Sequence, residues 1–172
     1  MSMPIDDAML DEARRFNDKL AHMPRFGIRN RWAPRLMQAL LRLSQFGADR
    51  KLRGRGLLVE RRSVKQGRIK VPVRILRPRG PATGVILDIH GGGWVIGNAA
   101  MNDALNAGYA EACNAIVVSV DYRLATHAPL ERLMDDCLVA TRWLLGGGLP
   151  ECAGLPVVMI GESAGGHLAA VT

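Results

Sequence analysis

The sequence lacks the features by which membrane-bound and secreted proteins are usually recognised. Its 172 residues contain no apolar run that approaches the length needed to cross a bilayer. The first twelve residues carry four acidic side chains, so the basic and then apolar pattern of a signal peptide is absent. The three cysteines, Cys113, Cys137 and Cys152, are odd in number and lack the spacing of a metal site. We therefore predict a cytoplasmic protein with reduced thiols, no membrane span and no bound metal.

Acidic charge is scarce in the first half of the chain. Residues 1–80 carry 20 Lys and Arg against 7 Asp and Glu, whereas residues 81–172 carry 3 against 9. The basic residues are mostly isolated, and aromatic side chains do not alternate with them as in a stacking surface for nucleic acid. This distribution favours a solvated basic surface, or one that docks an acidic partner, over nucleic-acid binding.

The first 80 residues predict helices followed by a hairpin. Apolar residues recur every three to four positions over residues 4–22 and 33–46, which indicates two amphipathic helices. Residues 56–66 and 69–78 have the composition of strands, and Gly67 lies between them. We expect these two segments to form a β-hairpin.

From residue 84 onwards, predicted strands and helices alternate. The strand segments are 84–90, 115–123 and 155–161. The helix segments are 101–114, 129–145 and one that begins at residue 163. Because the strands are almost continuously apolar, we predict an α/β fold whose parallel sheet is covered on both faces.

Two glycine-rich motifs follow the first and third of these strands. Gly161-Glu162-Ser163-Ala164-Gly165 is a G-x-S-x-G sequence between a strand and a helix, the context of a nucleophile elbow that lifts a serine hydroxyl above the sheet. His90-Gly91-Gly92-Gly93 follows the strand "GVILDI". Glycines leave backbone N–H groups open to a developing negative charge, as an oxyanion hole requires.

Together these segments resemble the esterases related to hormone-sensitive lipase, a family of the α/β-hydrolase fold. "HGGGW" is similar to the oxyanion motif of that family, and "GESAGG" is similar to its elbow. "VVSVDYRLA" and "DDCLVATRWL" are similar to the segment between them. The resemblance implies the N-terminal half of the hydrolase sheet, through the elbow, with cap helices in residues 1–50 and the hydrolase core in residues 51–172.

The resemblance also implies roles for individual residues. Ser163 would be the nucleophile, and His90 and Gly91 would shape the oxyanion loop. The backbone N–H groups implied for the oxyanion hole are those of Gly92, Gly93 and Ala164. An ester of small molecular size is the implied substrate, and no cofactor is implied. The segment "YRLATHAPLERL" departs from the Ala-Pro-Glu that the family usually has after Arg-Leu, which affects the expected packing near residues 125–129.

The acid and the histidine of the family's triad follow the serine far downstream. Here no acidic residue follows Ser163, and the only later histidine, His167, lies one helical turn into the next helix. His22 lies in the predicted cap and His127 in a loop, and neither has an evident carboxylate partner. We therefore expect the triad Asp and His to lie outside this chain, in a missing C-terminal half, and the chain alone to be inactive.

Strand order gives a related expectation. In the resembling fold the order is 1-2-4-3-5-6-7-8, so the strand at 155–161 would be interior. Without later strands it forms an apolar edge that recruits another strand, which leaves the oligomeric state open.

Three hypotheses for the function remain at this point. The leading one is a carboxylic-ester hydrolase that acts through an acyl-serine intermediate. The second is a small-molecule-binding relative without catalysis, because plant gibberellin receptors resemble the same family. The third is a module in which residues 25–79 bind nucleic acid or an acidic partner, and it ranks lowest.

Overall fold

A computed structural model describes residues 7–22 and 32–172 of the chain. The chain divides into two compact units, residues 1–31 and residues 32–172. In the first unit, helix α1 spans Asp7–Ala21, which agrees with the helix predicted there; the predicted first turn at residues 4–6 lies outside the described residues. Within the described ranges, no helix is both long and apolar enough to cross a bilayer.

The second unit contains a sheet and the helices that flank it. Its elements are α2 (Trp32–Ser44), α3 (Ala48–Gly54), β1 (Leu58–Gln66), β2 (Ile69–Arg77), β3 (Gly84–Ile89), α4 (Asp103–Ala112), β4 (Ala115–Val120), α5 (Leu130–Trp143), β5 (Val157–Gly161) and α6 (Ala164–Val171). A π-helical turn at Leu144–Gly148 and a 3-10 turn at Pro150–Cys152 lead into β5. The sequence patterns predict all five strands and the helices α2, α4, α5 and α6. They do not predict the short helix α3.

The sheet is mixed, with the order β1-β2-β4-β3-β5. Strands β1 and β2 form the predicted antiparallel hairpin, and β2 also runs antiparallel to β4. Strand β3 runs parallel to β4 on one side and to β5 on the other. Because parallel strands end at the same edge of a sheet, the segments after β3 and β5 lie side by side. These two segments carry the HGGG and G-x-S-x-G motifs.

Apolar side chains cover both faces of the sheet. On one face, Val118 and Val120 of β4 pack in a cluster that includes Leu133 of α5 and Leu168 of α6. On the other face, Val117 packs in a cluster whose members from outside the sheet are Leu52, Leu57, Ala107 and Ala110. The alternation of neighbouring β4 residues between the two clusters follows the two-residue period of a strand. The prediction of a sheet covered on both faces is therefore confirmed for β4.

A buried arginine connects β2 to α3 and α4. Arg74 is 2% exposed, and its guanidinium donates two hydrogen bonds, 2.7 and 2.8 Å long, to the carboxylate of Asp103. A third bond of 2.7 Å reaches Asp49 in α3, which also accepts a bond from the exposed Arg61. Paired, hydrogen-bonded charges of this kind are strongly coupled, because removing one partner leaves the other buried without compensation. The network fixes α3, the one helix that the sequence pattern does not predict.

The edge strand β5 generates the first prediction. In the described part of the chain β5 pairs only with β3, and Val158 is 55% exposed. We expect residues 1–172 on their own to associate through this edge, because an unpaired apolar strand recruits another. Val158→Lys should shift the chain toward a monomer in size-exclusion chromatography with light scattering. Leu145→Lys, at a similarly exposed apolar residue outside the sheet, is the matched control. An unmodified chain that is already monomeric would contradict the prediction.

The arginine network generates a second prediction. Arg74→Met leaves two carboxylates without their buried partner, so the free energy of unfolding should fall by about 3–5 kcal/mol. In Arg61→Met the same Asp49 loses only an exposed partner, and the loss should stay below about 1 kcal/mol. Urea denaturation in the Val158→Lys background measures both changes. Equal losses of unfolding free energy in the two variants would show that the buried Arg74 contributes no more to stability than the exposed Arg61.

Candidate active site

The segment after β3 is anchored by a buried histidine. The His90 ring stacks on Tyr122 with 4.1 Å between ring centroids, and the Tyr122 hydroxyl donates a 2.7 Å hydrogen bond to the His90 carbonyl. His90 Nδ1 lies 2.8 Å from the carbonyl oxygen of Gly91. Because that oxygen can only accept, Nδ1 carries the ring proton. Burial lowers the pKa of His90, so the ring is held neutral and serves as a fixed support for the loop.

The glycines after His90 have backbone conformations that few other residues adopt. Gly92 has a φ of 104° and Gly93 a φ of 60°. A β-carbon on Gly92 would overlap the carbonyl oxygen of Ile96. The Gly92 carbonyl in turn accepts hydrogen bonds from the N–H groups of Val95 and Ile96, at 3.2 and 3.1 Å. Glycine is therefore required at position 92 by both conformation and space.

Ser163 lies on a strained turn between β5 and α6. Its φ of 52° and ψ of −116° fall outside the regions that residues with a β-carbon normally occupy. Such a conformation costs about 1–3 kcal/mol and persists only where the surroundings impose it. At Gly165 a β-carbon would lie 2.6 Å from the His90 carbonyl oxygen and would overlap that of Ile89. The strained strand-to-helix turn expected from the G-x-S-x-G motif is thus present, with the Ser163 side chain exposed.

The two motifs meet at Gly91. A β-carbon on Gly91 would lie 2.8 Å from the carbonyl oxygen of Glu162 and 3.8 Å from Cβ of Ser163. Within the described ranges, several N–H groups of these two motifs have no hydrogen-bond partner. Those of Gly92, Gly93 and Ala164 are among them. Each of these N–H groups is available to a ligand, and the first N–H groups of a helix such as α6 favour negative charge.

The histidines of the second unit do not complete a catalytic pair. Among residues 32–172, no histidine ring is hydrogen-bonded to Ser163 or to a carboxylate. His127 Nδ1 lies 2.8 Å from the hydroxyl of Thr126. His167 is exposed, and its ring meets Trp94 edge-on at 5.5 Å. In the first unit, His22 Nδ1 lies 2.7 Å from the carbonyl oxygen of Asp18.

Metal-ligating side chains do not gather at this site. In the ranges that the structure covers, no group of three or more His, Cys, Asp or Glu residues could hold a metal ion.

The loop at residues 125–129, which departs from the family pattern, forms a short turn. In this turn the N–H groups of His127 and Ala128 donate to the Leu124 carbonyl. Its first residue, Ala125, donates a 2.8 Å hydrogen bond to the carbonyl of Trp94 and so connects the turn to the segment after β3.

A buried carboxylate that sequence reasoning did not single out supports the end of β3. Asp88 is 1% exposed and accepts hydrogen bonds from Asn102, at 3.1 Å, and from Asn106, at 2.7 Å. Asn106 also donates to the hydroxyl of Ser119 in β4, at 3.0 Å. The signal for this network was an acidic residue inside the apolar strand "GVILDI", since a buried charge requires partners.

Comparison with known proteins agrees with this geometry. Residues 86–172 match the family described as alpha/beta hydrolase fold. The carboxylesterase NlhH of Mycobacterium tuberculosis is 38% identical over 120 residues, which cover 67% of this chain and 37% of NlhH. The arylacetamide deacetylase of Rattus norvegicus is 40% identical over 111 residues, which cover 59% of this chain and 28% of that protein.

A solved structure shows the same likeness in three dimensions. The esterase LipW from Mycobacterium marinum superposes with a TM-score of 0.69 at 27% identity, over 80% of this chain and 45% of LipW. The chain spans less than half the length of each of these relatives. The family match covers both the HGGG segment and the G-x-S-x-G turn, and the strand order is the one expected from the resemblance. The chain belongs to the α/β-hydrolase fold family, in the branch related to hormone-sensitive lipase.

Proposed function

We propose that this chain is the nucleophile-bearing part of a carboxylic-ester hydrolase that acts through an acyl-serine intermediate. The observation that carries the proposal is the strained turn at Ser163, which lies directly against Gly91 of the oxyanion loop. Among the similar proteins, NlhH is named a carboxylesterase and LipW an esterase, which supports the same reaction class. The proposed substrate is a small-molecule carboxylic ester, and the reaction requires no cofactor.

In the proposed reaction, the Ser163 hydroxyl oxygen attacks the ester carbonyl and its proton passes to a histidine base. The carbonyl oxygen becomes negatively charged, and the free N–H groups of Gly92, Gly93 and Ala164 stabilise that charge. The alcohol then leaves with the proton, and the acyl group remains on Ser163. Water then attacks the acyl-serine and gives a proton to the histidine, the bond between the acyl carbon and the serine oxygen breaks, and the histidine passes that proton to the serine as the acid is released.

The base and its carboxylate partner are proposed to lie outside this chain. The histidine rings of residues 32–172 are engaged with Gly91, with Thr126 or with Trp94. The chain covers 37% of NlhH, so most of the length of that relative has no counterpart here. We propose that the partner is a downstream segment. It supplies the Asp and His and pairs with the open edge of β5.

We also propose a cytoplasmic location, which the three free cysteines support.

The proposal predicts a large difference between the chain alone and the chain extended by its downstream reading frame. Residues 1–172 should hydrolyse a short-chain aryl ester negligibly, because proton transfer by histidine is needed in both half-reactions. In a serine protease, loss of the histidine lowers turnover on the order of a million-fold. The extended protein should gain several orders of magnitude in kcat, measured by release of the aryl alcohol.

The control for that gain is Ser163→Ala, which should abolish it. Labelling with a serine-reactive phosphonate, followed by peptide mass spectrometry, should place the adduct on Ser163 of the extended protein. Full activity of residues 1–172 alone would mean that a histidine of this chain is the base. An extended protein that binds an ester but neither hydrolyses it nor takes the label would instead be a binding relative of the family.

The loop geometry gives a separate prediction about Gly92. Gly92→Ala should lower kcat in the extended protein by about 100-fold or more, because the new β-carbon would displace Ile96 and with it the N–H groups of the loop. Gly108→Ala is the matched control, since a β-carbon there meets no atom within 4 Å and the residue lies inside α4. We expect the control to retain full activity. A Gly92→Ala variant with unchanged kcat would exclude this loop as the oxyanion hole.

A further inference from the structure

Helix α2 buries Pro34 but leaves most of its leucines exposed. Leu36, Leu40 and Leu43 are 63%, 56% and 71% exposed. Gln38 in α2 and Gln45 directly after it, in contrast, are partly buried and hydrogen-bonded to residues 59 and 53 positions away. With so much apolar surface left exposed, burial contributes little to holding this helix in place, and its polar contacts gain importance.

The contact made by Gln38 is a two-point pairing of its amide with a single residue. Its Nε2 donates a 2.9 Å hydrogen bond to the carbonyl of Gly97, and its Oε1 accepts a 2.8 Å bond from the N–H of the same residue. Both backbone groups of Gly97 are therefore held by one side chain. No smaller or purely accepting side chain can reproduce both bonds.

Gln45, the first residue after α2, makes a parallel contact. Its amide pairs with that of Asn98, through bonds of 3.0 and 2.8 Å in the two directions. Asn98 Oδ1 also accepts a 2.9 Å bond from the N–H of Ala100. Gln38 and Gln45 thus attach α2 and the residue that follows it to two consecutive residues, Gly97 and Asn98.

Gly97 is the point at which this attachment reaches the oxyanion loop. Its φ of 124° suits only glycine, and a β-carbon there would overlap the Nδ1 atom of His90. The same β-carbon would lie 3.0 Å from the carbonyl oxygen of Gly91. Ile96, the preceding residue, donates its N–H to the Gly92 carbonyl. A shift of Gly97 would therefore press on His90 and move the turn that shapes Gly92.

We infer that Gln38 is a positioning residue that couples α2 to the oxyanion loop. Through Gly97, the amide of Gln38 holds the loop against His90 and so fixes the N–H groups that face the substrate oxygen. This inference rests on the proposed function for its catalytic consequence, whereas the coupling itself is a property of the fold. Errors of about 1 Å in such positioning are enough to lower rates 100-fold, so a partial loss of the pairing has a measurable effect.

The test combines hydrogen exchange with kinetics in the extended protein. Gln38→Met keeps the length of the side chain and removes both bonds, whereas Gln38→Glu keeps only the bond accepted from the Gly97 N–H. Leu36→Gln, on the exposed face of α2, is the matched control. Exchange is measured by mass spectrometry on peptides that separate residues 90–96 from residue 97, and kcat and KM are measured with a short-chain aryl ester.

In Gln38→Met, amide exchange in residues 90–96 should become about tenfold faster, since lost hydrogen bonds of this kind lower local stability. We expect kcat to fall about tenfold with KM changed less than twofold, because the loop acts on charge that develops in the transition state. Gln38→Glu should lie between Gln38→Met and the unmodified protein in both measurements. Leu36→Gln should match the unmodified protein.

Each other outcome has a definite meaning. Faster exchange confined to Gly97 would overturn the coupling, because it would reflect only the loss of that residue's own bond. Faster exchange across the loop with kcat unchanged would overturn the positioning role. If the unmodified protein hydrolyses no ester, the proposed function fails, and the exchange of residues 90–96 alone then decides the coupling. Should Gln38→Met not fold, the same criteria apply to Gln38→Glu.

Discussion

The close contact between the start of α6 and the end of β3 is the constraint on which the rest of the site depends. At Gly165 the backbone of the helix lies so near the Ile89 and His90 carbonyls that no β-carbon fits between them. This contact sets the distance between the Ser163 turn and the glycine segment after β3. The strain at Ser163 is imposed from here, because the chain must turn within two residues from β5 into a helix that is already pressed against the neighbouring strand.

Successive supports surround this contact. The His90 ring stacks on Tyr122, whose hydroxyl donates a hydrogen bond to the His90 carbonyl. Two residues before His90, Asp88 accepts hydrogen bonds from two asparagines. Burial also raises the pKa of Asp121, whose carboxylate accepts the N–H of Ala99 at 3.3 Å. These groups touch no substrate in the proposed reaction. They make the loop rigid, and rigid donors need no reorganisation when charge develops.

The sequence predicted most of the fold because its strong patterns are local. Apolar segments such as β4 specify their own strand conformation, and the glycines of the two motifs specify their own turns. The turn at Ser163 follows from the five residues of the G-x-S-x-G motif. Helix α3 was not predicted, since its seven mostly polar residues are held by the distant Arg74. The inward-facing side of α2 was also beyond prediction, because amphipathicity indicates burial of the leucines and the glutamine pairings are long-range. The roles of the site residues remain predictions, as does the division at residue 50.

The strand order has a consequence for the order in which the protein is assembled. The β1–β2 hairpin can pair as soon as it is synthesised, whereas β3 precedes both of its neighbours, β4 and β5, in the chain. Such non-local pairing is slow. Strand β3 can join the hairpin only after β4 has been synthesised, because β4 lies between β3 and β2 in the sheet. Strand β5 and helix α6 follow β3 and β4 in the chain and add to an existing surface, so the Ser163 turn is formed against carbonyls that are already in place. The conformation of Ser163 is therefore a reporter of the docking of β5 and α6 against β3.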